Sequence, residues 1–250
     1  MNTPDKVCIV TGATGGIGRA IVEELMRRAV PEVCLACRNT ERAEALAGEL
    51  RRIIDSQTRL TCRTLDLESL ASVRAFADAC KADDIKISVL FNNAGTMPGG
   101  IRITPDGFES ATQTNYVATA LLTRLLLPLM DEGSAVVFTT SMTRHIVRRR
   151  VDWQQRAIEH HGRFTTYGRS KLMLTDFARS LARELAPRGI RVNCSDPGIV
   201  DSGIITMGNP FVDRLADIFF RPIIHSPARG ARGAIRAALD SDATGRIFYG

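Results

Sequence analysis

Thr11-Gly12-Ala13-Thr14-Gly15-Gly16-Ile17-Gly18 joins an apolar run at residues 7–11 to an amphipathic segment at residues 18–29. The run has the length and character of a buried strand. The segment carries Ile21, Val22, Leu25 and Met26 on one helical face. Glycines placed between a strand and a helix have a definite physical use: they let the chain turn tightly and let backbone N–H groups approach a pyrophosphate. The helix behind them turns its positive end toward the same spot. Gly12, Thr14, Gly15, Gly16, Ile17 and Gly18 are accordingly the predicted phosphate cradle of a dinucleotide site.

The same rhythm continues outward. Strand-like runs at 33–37, 59–65, 89–92, 135–140 and 190–195 alternate with helix-like segments at 41–54, 67–81, 108–130 and 167–185. Pro128 bends or ends the segment at 108–130. Strands alternating with helices of this length form βαβ units, and apolar runs without polar alternation suit a sheet covered on both faces. The predicted fold class is therefore α/β, a doubly wound parallel sheet of Rossmann type, in a single domain over residues 1–250. Two segments break the rhythm, and loops this long usually carry function. One is an insertion at 142–166 that holds Arg148-Arg149-Arg150, Trp153, His160 and His161. The other, at 199–227, reads as a substrate lid. Its Ile204, Ile205, Met207, Phe211, Leu215, Ile218, Phe219 and Phe220 either line an apolar pocket or pack as an ordinary amphipathic helix.

Composition narrows the function classes. The 250 residues include 33 basic and 27 acidic side chains, net +6, and only four of the basic ones are lysines (Lys6, Lys81, Lys86 and Lys171). Hydrophobic residues at 44% and charged residues at 24% exclude a disordered chain. The positive balance is modest, and Arg148-Arg149-Arg150 has no aromatic interleaving beyond Trp153, so no nucleic-acid partner is predicted. No apolar run approaches the roughly 20 residues of a membrane span. The N-terminal hexapeptide is short and polar before the first strand, which predicts a cytoplasmic protein. Six scattered cysteines read as reduced thiols. Cys34 and Cys37 form a C-x-x-C, but inside a strand-like run and without a second Cys/His pair, so no metal site is predicted.

Three motifs carry a resemblance. The glycine loop, Asn92-Asn93-Ala94-Gly95 after the fourth strand-like run, and Tyr167-Gly168-Arg169-Ser170-Lys171 together resemble the short-chain dehydrogenase/reductase family. The loop fits two of that family's spacings, one through Gly12, Gly16 and Gly18 and one through Gly12, Gly15 and Gly18. The chain length and the Asn-Asn-Ala-Gly motif point to the short, single-domain branch. A narrower likeness, to the retinol dehydrogenase-like and protochlorophyllide reductase-like group, rests on Ala36-Cys37-Arg38-Asn39, on Thr104-Pro105-Asp106-Gly107-Phe108-Glu109, on the long Ser141-to-Tyr167 interval and on Arg229-Gly230-Ala231. The likeness runs over residues 11–202. It implies an oxidoreductase that interconverts a carbonyl and an alcohol by hydride transfer. It also implies a homodimer or homotetramer built on the helices at 108–130 and 167–185. The membrane anchor of many retinol dehydrogenases is not seen here, so a retinoid substrate is not carried over.

Tyr167 and Lys171 lie four apart and share a helix face. A free tyrosine has a pKa of about 10. A nearby ammonium is expected to lower it and make Tyr167 a usable general acid or base. Lys171 is also placed to bind the cofactor ribose. By resemblance, Ser141 orients the substrate oxygen, with Thr140 as the alternative, and Asn115 supports a proton path to the lysine. Asn93, Ala94 and Gly95 approach the cofactor. Pro197, Gly198, Val200 and Ser202 meet its far end, with Ser202 where the family usually has Thr. Asp66 and Leu67 contact adenine, or Asp66 caps the helix that follows. Asp196 reads as the end of its strand.

The cofactor form is read from position 38. An NAD site carries a carboxylate about 20 residues past the loop, for the ribose 2′-hydroxyl. This chain has Arg38 there and no acid until Glu41. A guanidinium fork pairs with a 2′-phosphate, so NADP(H) is predicted, with Arg19 and Arg42 as weaker helpers. The predicted substrate is a small, moderately hydrophobic carbonyl or alcohol. The competing reading is a non-catalytic NADP(H)-binding regulator or scaffold, which would be expected to have lost one of the four catalytic side chains; all four are present.

Overall fold

The computed structural model describes residues 6–145, 147, 162–198 and 226–250. Among them, seven strands form one sheet: β1 (Lys6–Thr11), β2 (Glu32–Cys37), β3 (Arg59–Thr64), β4 (Lys86–Asn92), β5 (Ala135–Thr139), β6 (Arg191–Asp196) and β7 (Ile247–Tyr249). Every pairing is parallel, in the order β3-β2-β1-β4-β5-β6-β7. The helices are α1 (Gly16–Arg27), α2 (Thr40–Ile53), α3 (Leu70–Ala82), α4 (Ser110–Thr112), α5 (Ala118–Leu126), α6 (Arg163–Leu185) and α7 (Pro227–Leu239).

Side chains alternate across the pleat and feed two cores. Val7 and Ile9 of β1 join α3, α5 and α6 on one side, while Cys8 and Val10 join α1, α2 and α7 on the other. Cys34 and Cys37 are split in the same way, one in each core, so the C-x-x-C is two separate buried thiols. Burial pushes the Cys34 thiol up to about 12. Strand order reverses between β1 and β4. In such sheets a ligand crevice opens beyond the carboxyl ends of the strands at that switch point.

Several element boundaries differ from the sequence reading, each for a local reason. α1 begins at Gly16, inside the glycine loop. α3 begins at Leu70 because the Ser69 side chain accepts the Ser72 N–H at 3.2 Å; the capping role considered for Asp66 falls to Ser69. Asp66 instead accepts the Glu68 N–H at 2.9 Å. The segment at 108–130 is not one helix. Glu109 caps α4 through the N–H groups of Ala111 and Thr112, a wide π turn follows at Gln113–Val117, then α5, then a tight 3₁₀ turn at Leu127–Leu129 around Pro128. α6 starts at Arg163, a full turn ahead of Tyr167. α7 and β7 were not read from the sequence.

Candidate active site

The glycine loop is crowded in two places that explain its composition. Gly12 has φ +64°, and a Cβ there would lie 2.9 Å from the Ala94 Cα. A Cβ on Gly18 would lie 2.2 Å from the Gly12 carbonyl oxygen, so loop and helix touch backbone to backbone. Gly15 stands at the N-cap of α1 and offers no side chain to its N–H groups. Those donors point outward, toward where an anion would bind.

One hydroxyl joins this loop to its neighbour. Thr11 Oγ1 accepts the N–H groups of Asn93 and Ala94, both at 3.0 Å, and donates to the Phe91 carbonyl at 3.3 Å. Asn93 Nδ2 returns a bond to the Thr11 carbonyl at 3.0 Å. The Asn-Asn-Ala-Gly turn is thereby fastened to the start of the glycine loop.

A cleft of about 700 Å³ opens over these turns. It brings together Gly12, Thr14, Gly15, Gly16, Ile17, Gly18, Arg38, Asp66, Leu67, Asn93, Ala94, Gly95, Ser141, Tyr167, Lys171, Pro197 and Gly198. Val200 and Ser202 lie outside the described residues, as do the lid at 204–224 and Arg148, Arg149, Arg150, Trp153, His160 and His161. Arg42 lines the cleft beside Arg38. Arg19 does not serve as a helper: it turns away to Glu23 at 2.8 Å and Glu49 at 2.7 Å. The sequence reading missed Glu68 and Arg102, which also line the cleft. Glu68 meets Arg38 at 3.5 Å, pairs with Arg102 and accepts the Ser110 hydroxyl at 2.8 Å. At the opposite end the missed residues are Met97, Met142 and Phe164, an apolar rim. No periodicity singles them out, because each comes from a different part of the chain: Met97 follows the Asn-Asn-Ala-Gly turn, Met142 opens the 3₁₀ turn after Ser141, and Phe164 lies in the first turn of α6.

Asn115 is set behind the cleft wall rather than in it. It rides on the π turn, 1% exposed. Its Oδ1 accepts the Thr96 N–H at 2.8 Å, and its Nδ2 donates to the Thr96 carbonyl at 3.0 Å and the Ser170 hydroxyl at 2.9 Å. A Cβ on Gly95 would fall 3.2 Å from Asn115 Oδ1 and 3.3 Å from Lys171 Nζ, which places both groups around one point.

Lys171 is 2% exposed and donates from Nζ to the Thr139 carbonyl at 2.7 Å. Burial draws its pKa down to about 8, opposed by Asp196 and Cys194. Its Nζ lies 5.7 Å from the centre of the Tyr167 ring. The expected lowering of the Tyr167 pKa by this ammonium is not what the geometry gives. Burial pushes Tyr167 up to about 12, a hydrogen bond with Ser141 pulls it down, and Asp196 adds to the rise. The Thr140 hydroxyl is turned into α6, 2.8 Å from that of Thr175, and Thr140 is 1% exposed. Ser141 is the hydroxyl that reaches Tyr167. Asp196 does end β6, but it is also fully buried and paired with Arg144.

The glycine cradle and the uncapped helix start fit the pyrophosphate of a dinucleotide. Among the described residues no group of His, Cys, Asp or Glu is arranged to hold a metal, and no helix is long and apolar enough to cross a membrane.

A doubly wound sheet with this loop and a Tyr-Lys pair beside its switch point defines a dinucleotide-binding oxidoreductase. Residues 6–210 match the family described as short chain dehydrogenase, and the chain belongs to it. Retinol dehydrogenase 12 of Mus musculus is 34% identical over 240 residues, covering 96% of this chain and 75% of that protein. Polyprenol dehydrogenase of Mus musculus is 36% identical over 256 residues, covering 97% and 74%. Among solved structures, an NADPH-bound short chain oxidoreductase from Pseudomonas aeruginosa PAO1 superposes with a TM-score of 0.74 at 26% identity, covering 98% of this chain and 94% of that one. The narrower likeness to retinol dehydrogenases holds on these identities.

Proposed function

We propose that the protein is an NADP(H)-dependent oxidoreductase that interconverts a moderately hydrophobic carbonyl compound and its alcohol. The observation that carries this reading is the placing of Ser141, Tyr167 and Lys171 on the wall of the same cleft whose floor is the phosphate loop. Bound there, the nicotinamide supplies or accepts the hydride. The chain's own residues do the rest. The loop from Gly12 to Gly18 holds the pyrophosphate, and Arg38, with Arg42 beside it, holds the 2′-phosphate. Ser141 holds the substrate oxygen. Tyr167 gives that oxygen a proton in reduction and takes one in oxidation. With a pKa pushed up to about 12, Tyr167 carries its proton throughout the neutral range, where it can be given to the substrate oxygen in reduction. Lys171, with a pKa near 8, is mostly an ammonium at neutral pH and holds positive charge beside the proton's path. Asn115 keeps the Thr96 backbone and Ser170 in place behind it.

Met97, Met142 and Phe164 give the nicotinamide end an apolar rim. The relatives whose names refer to retinol and polyprenol point the same way, toward long apolar alcohols and their aldehydes. A homodimer or homotetramer through α5 and α6, in the cytoplasm, completes the reading; light scattering and cell fractionation test these two points.

The deciding experiment is Tyr167→Phe against wild type, with NADPH and a panel of apolar aldehydes. The variant is expected to bind NADPH as wild type does and to lose at least about a thousandfold in turnover. Retained turnover would remove Tyr167 from the mechanism. NADPH binding by wild type without turnover on any panel member would favour the regulator or scaffold reading.

A further inference from the structure

Beside the candidate site lies a buried ion pair that the reaction described above does not use. Arg144, on the 3₁₀ turn Met142–His145, is 5% exposed, and Asp196, the last residue of β6, is 0% exposed. The Arg144 guanidinium donates through one nitrogen to the Ser141 carbonyl at 2.7 Å and to Asp196 Oδ2. The other carboxylate oxygen, Oδ1, accepts the Gly198 N–H at 3.1 Å. We propose that Arg144 and Asp196 are positioning residues for the proposed reaction: the pair locks the Ser141 turn to the Pro197-Gly198 turn, and Arg144 offsets part of the carboxylate charge that Tyr167 experiences. This rests on the catalytic reading of Ser141 and Tyr167.

Geometry supports the first half. Ser141 belongs to a turn of which Arg144 is the buried member, and that turn is held from three directions. The Thr140 N–H reaches the Ser195 carbonyl at 2.8 Å, fastening the turn's start to β6. On the α6 side the packing is tight: a Cβ on Gly168 would lie 2.6 Å from the Thr143 carbonyl oxygen. Arg144 supplies the third hold. Asp196 is itself fixed, because its carbonyl accepts the Gly250 N–H at 3.1 Å. The serine hydroxyl and the Pro-Gly turn are thus referred to one rigid carboxylate.

The second half follows from charge. Among the described residues, the titratable and charged groups on the elements that carry Tyr167, Asp196 and Ser141 include Arg163, Arg169 and Lys171 on α6, Asp196 and Cys194 on β6, and Arg144 and His145 on the turn after Ser141. Asp196 is the carboxylate among them, and its effect on both Tyr167 and Lys171 is to hold their protons more tightly. A guanidinium stays charged at all relevant pH. It therefore offsets Asp196 permanently, where a lysine or histidine partner would do so only in part of the range. Stability alone does not call for the pair, since two apolar residues of like volume commonly serve a core as well.

The test begins with wild-type turnover in the alcohol-oxidising direction across pH, which judges the functional reading alone. With that activity in hand, Arg144→Met leaves Asp196 unbalanced. The alkaline-rising limb of kcat/KM is expected to move up by about one pH unit, a loss of about tenfold at a fixed pH below it. Arg144→Lys should restore most of the rate lost near neutral pH, where the lysine is charged, and Asp196→Asn should move the limb the other way. If Arg144→Met does not fold, the double variant Arg144→Met/Asp196→Leu takes its place. That protein should fold, keep the wild-type limb and lose kcat with little change in the KM for NADP. A lower rate with an unmoved limb in Arg144→Met, or full activity in the double variant, would overturn the proposal while leaving the wild-type activity intact.

Discussion

Lys171→Met isolates the cost of one buried charge. The side chain is 2% exposed, and burial draws its pKa from 10.5 to about 8. At about 1.4 kcal/mol per pKa unit, the ionised form costs the fold about 3 kcal/mol relative to the neutral amine. The sign follows from proton counting. Between about 8 and 10.5 the unfolded chain holds this proton and the folded chain has released it, so stability rises with pH across that window. Below it the cost is present in full; above it the cost is gone. Methionine carries no such dependence. The stability of wild type relative to Lys171→Met should therefore improve by about 2 kcal/mol between about pH 7 and about pH 10. Urea unfolding of both proteins at three pH values measures this directly, because every other titrating group cancels in the difference. In thermal unfolding the same change amounts to roughly 4–8 °C for a chain of this size. A difference that stays flat with pH, or that moves toward the variant, would refute the account of Lys171 as an ammonium held against its own desolvation. The same substitution should abolish turnover, so the group that weakens the fold at neutral pH is the one the chemistry needs.

Other substitutions test other parts of the site. Arg38→Asp should weaken NADPH binding by about 10–100-fold, the worth of a charge-assisted bond to phosphate, and leave NADH binding nearly unchanged; equal wild-type affinities for the two would contradict the role given to Arg38. Gly18→Ala forces a methyl to within 2.2 Å of the Gly12 carbonyl oxygen, so the loop must shift. Calorimetric titration should then show NADPH affinity down by about tenfold or more, with a loss of about 1–3 kcal/mol in stability. Ser141→Ala should lower kcat by about a hundredfold with unchanged melting temperature. Thr140→Val should do the reverse, losing about 1 kcal/mol of stability through the Thr175 contact while keeping most activity.

How much of this was legible in the sequence depended on side-chain size and on backbone pairing. The sheet around β1, β2, β4 and β5 was readable because its strands are continuous apolar runs and its helices show large residues at helical spacing. α7 escaped because its buried face is made of Gly230, Ala231, Gly233, Ala234, Ala237 and Ala238 around a single Ile235. Small residues give little periodic signal, yet they are what the packing needs: a Cβ on Gly233 would lie 2.9 Å from the Phe248 carbonyl oxygen. β7 is three residues long and takes its identity from pairing with β6. The broken course of 108–130 was equally hidden, since a π turn is a choice of backbone bonds that Gln113–Val117 does not announce. At the site, the described candidate residues carried by motifs line one cleft, apart from Asn115, which lies behind its wall. Arg102, Glu68, Met97 and Phe164 were not found, because three come from separate connecting segments and Phe164 from the first turn of α6, and only the fold brings them together. Arg144 was hidden for another reason. It stands in an arginine-rich stretch, and its partner lies 52 residues away.

The Thr11 hydroxyl has a consequence for how a ligand is met. By accepting two N–H groups of the neighbouring turn, it makes the two halves of the cleft floor a single part, assembled when the protein folds. A dinucleotide arriving there finds its donors already aimed, so none of its binding free energy goes into arranging them. Selectivity is then left to the rim, which includes Arg38, Glu68 and Arg102 together with Met142 and Phe164. One β-branched side chain at the end of β1 thus joins two turns into one preassembled seat.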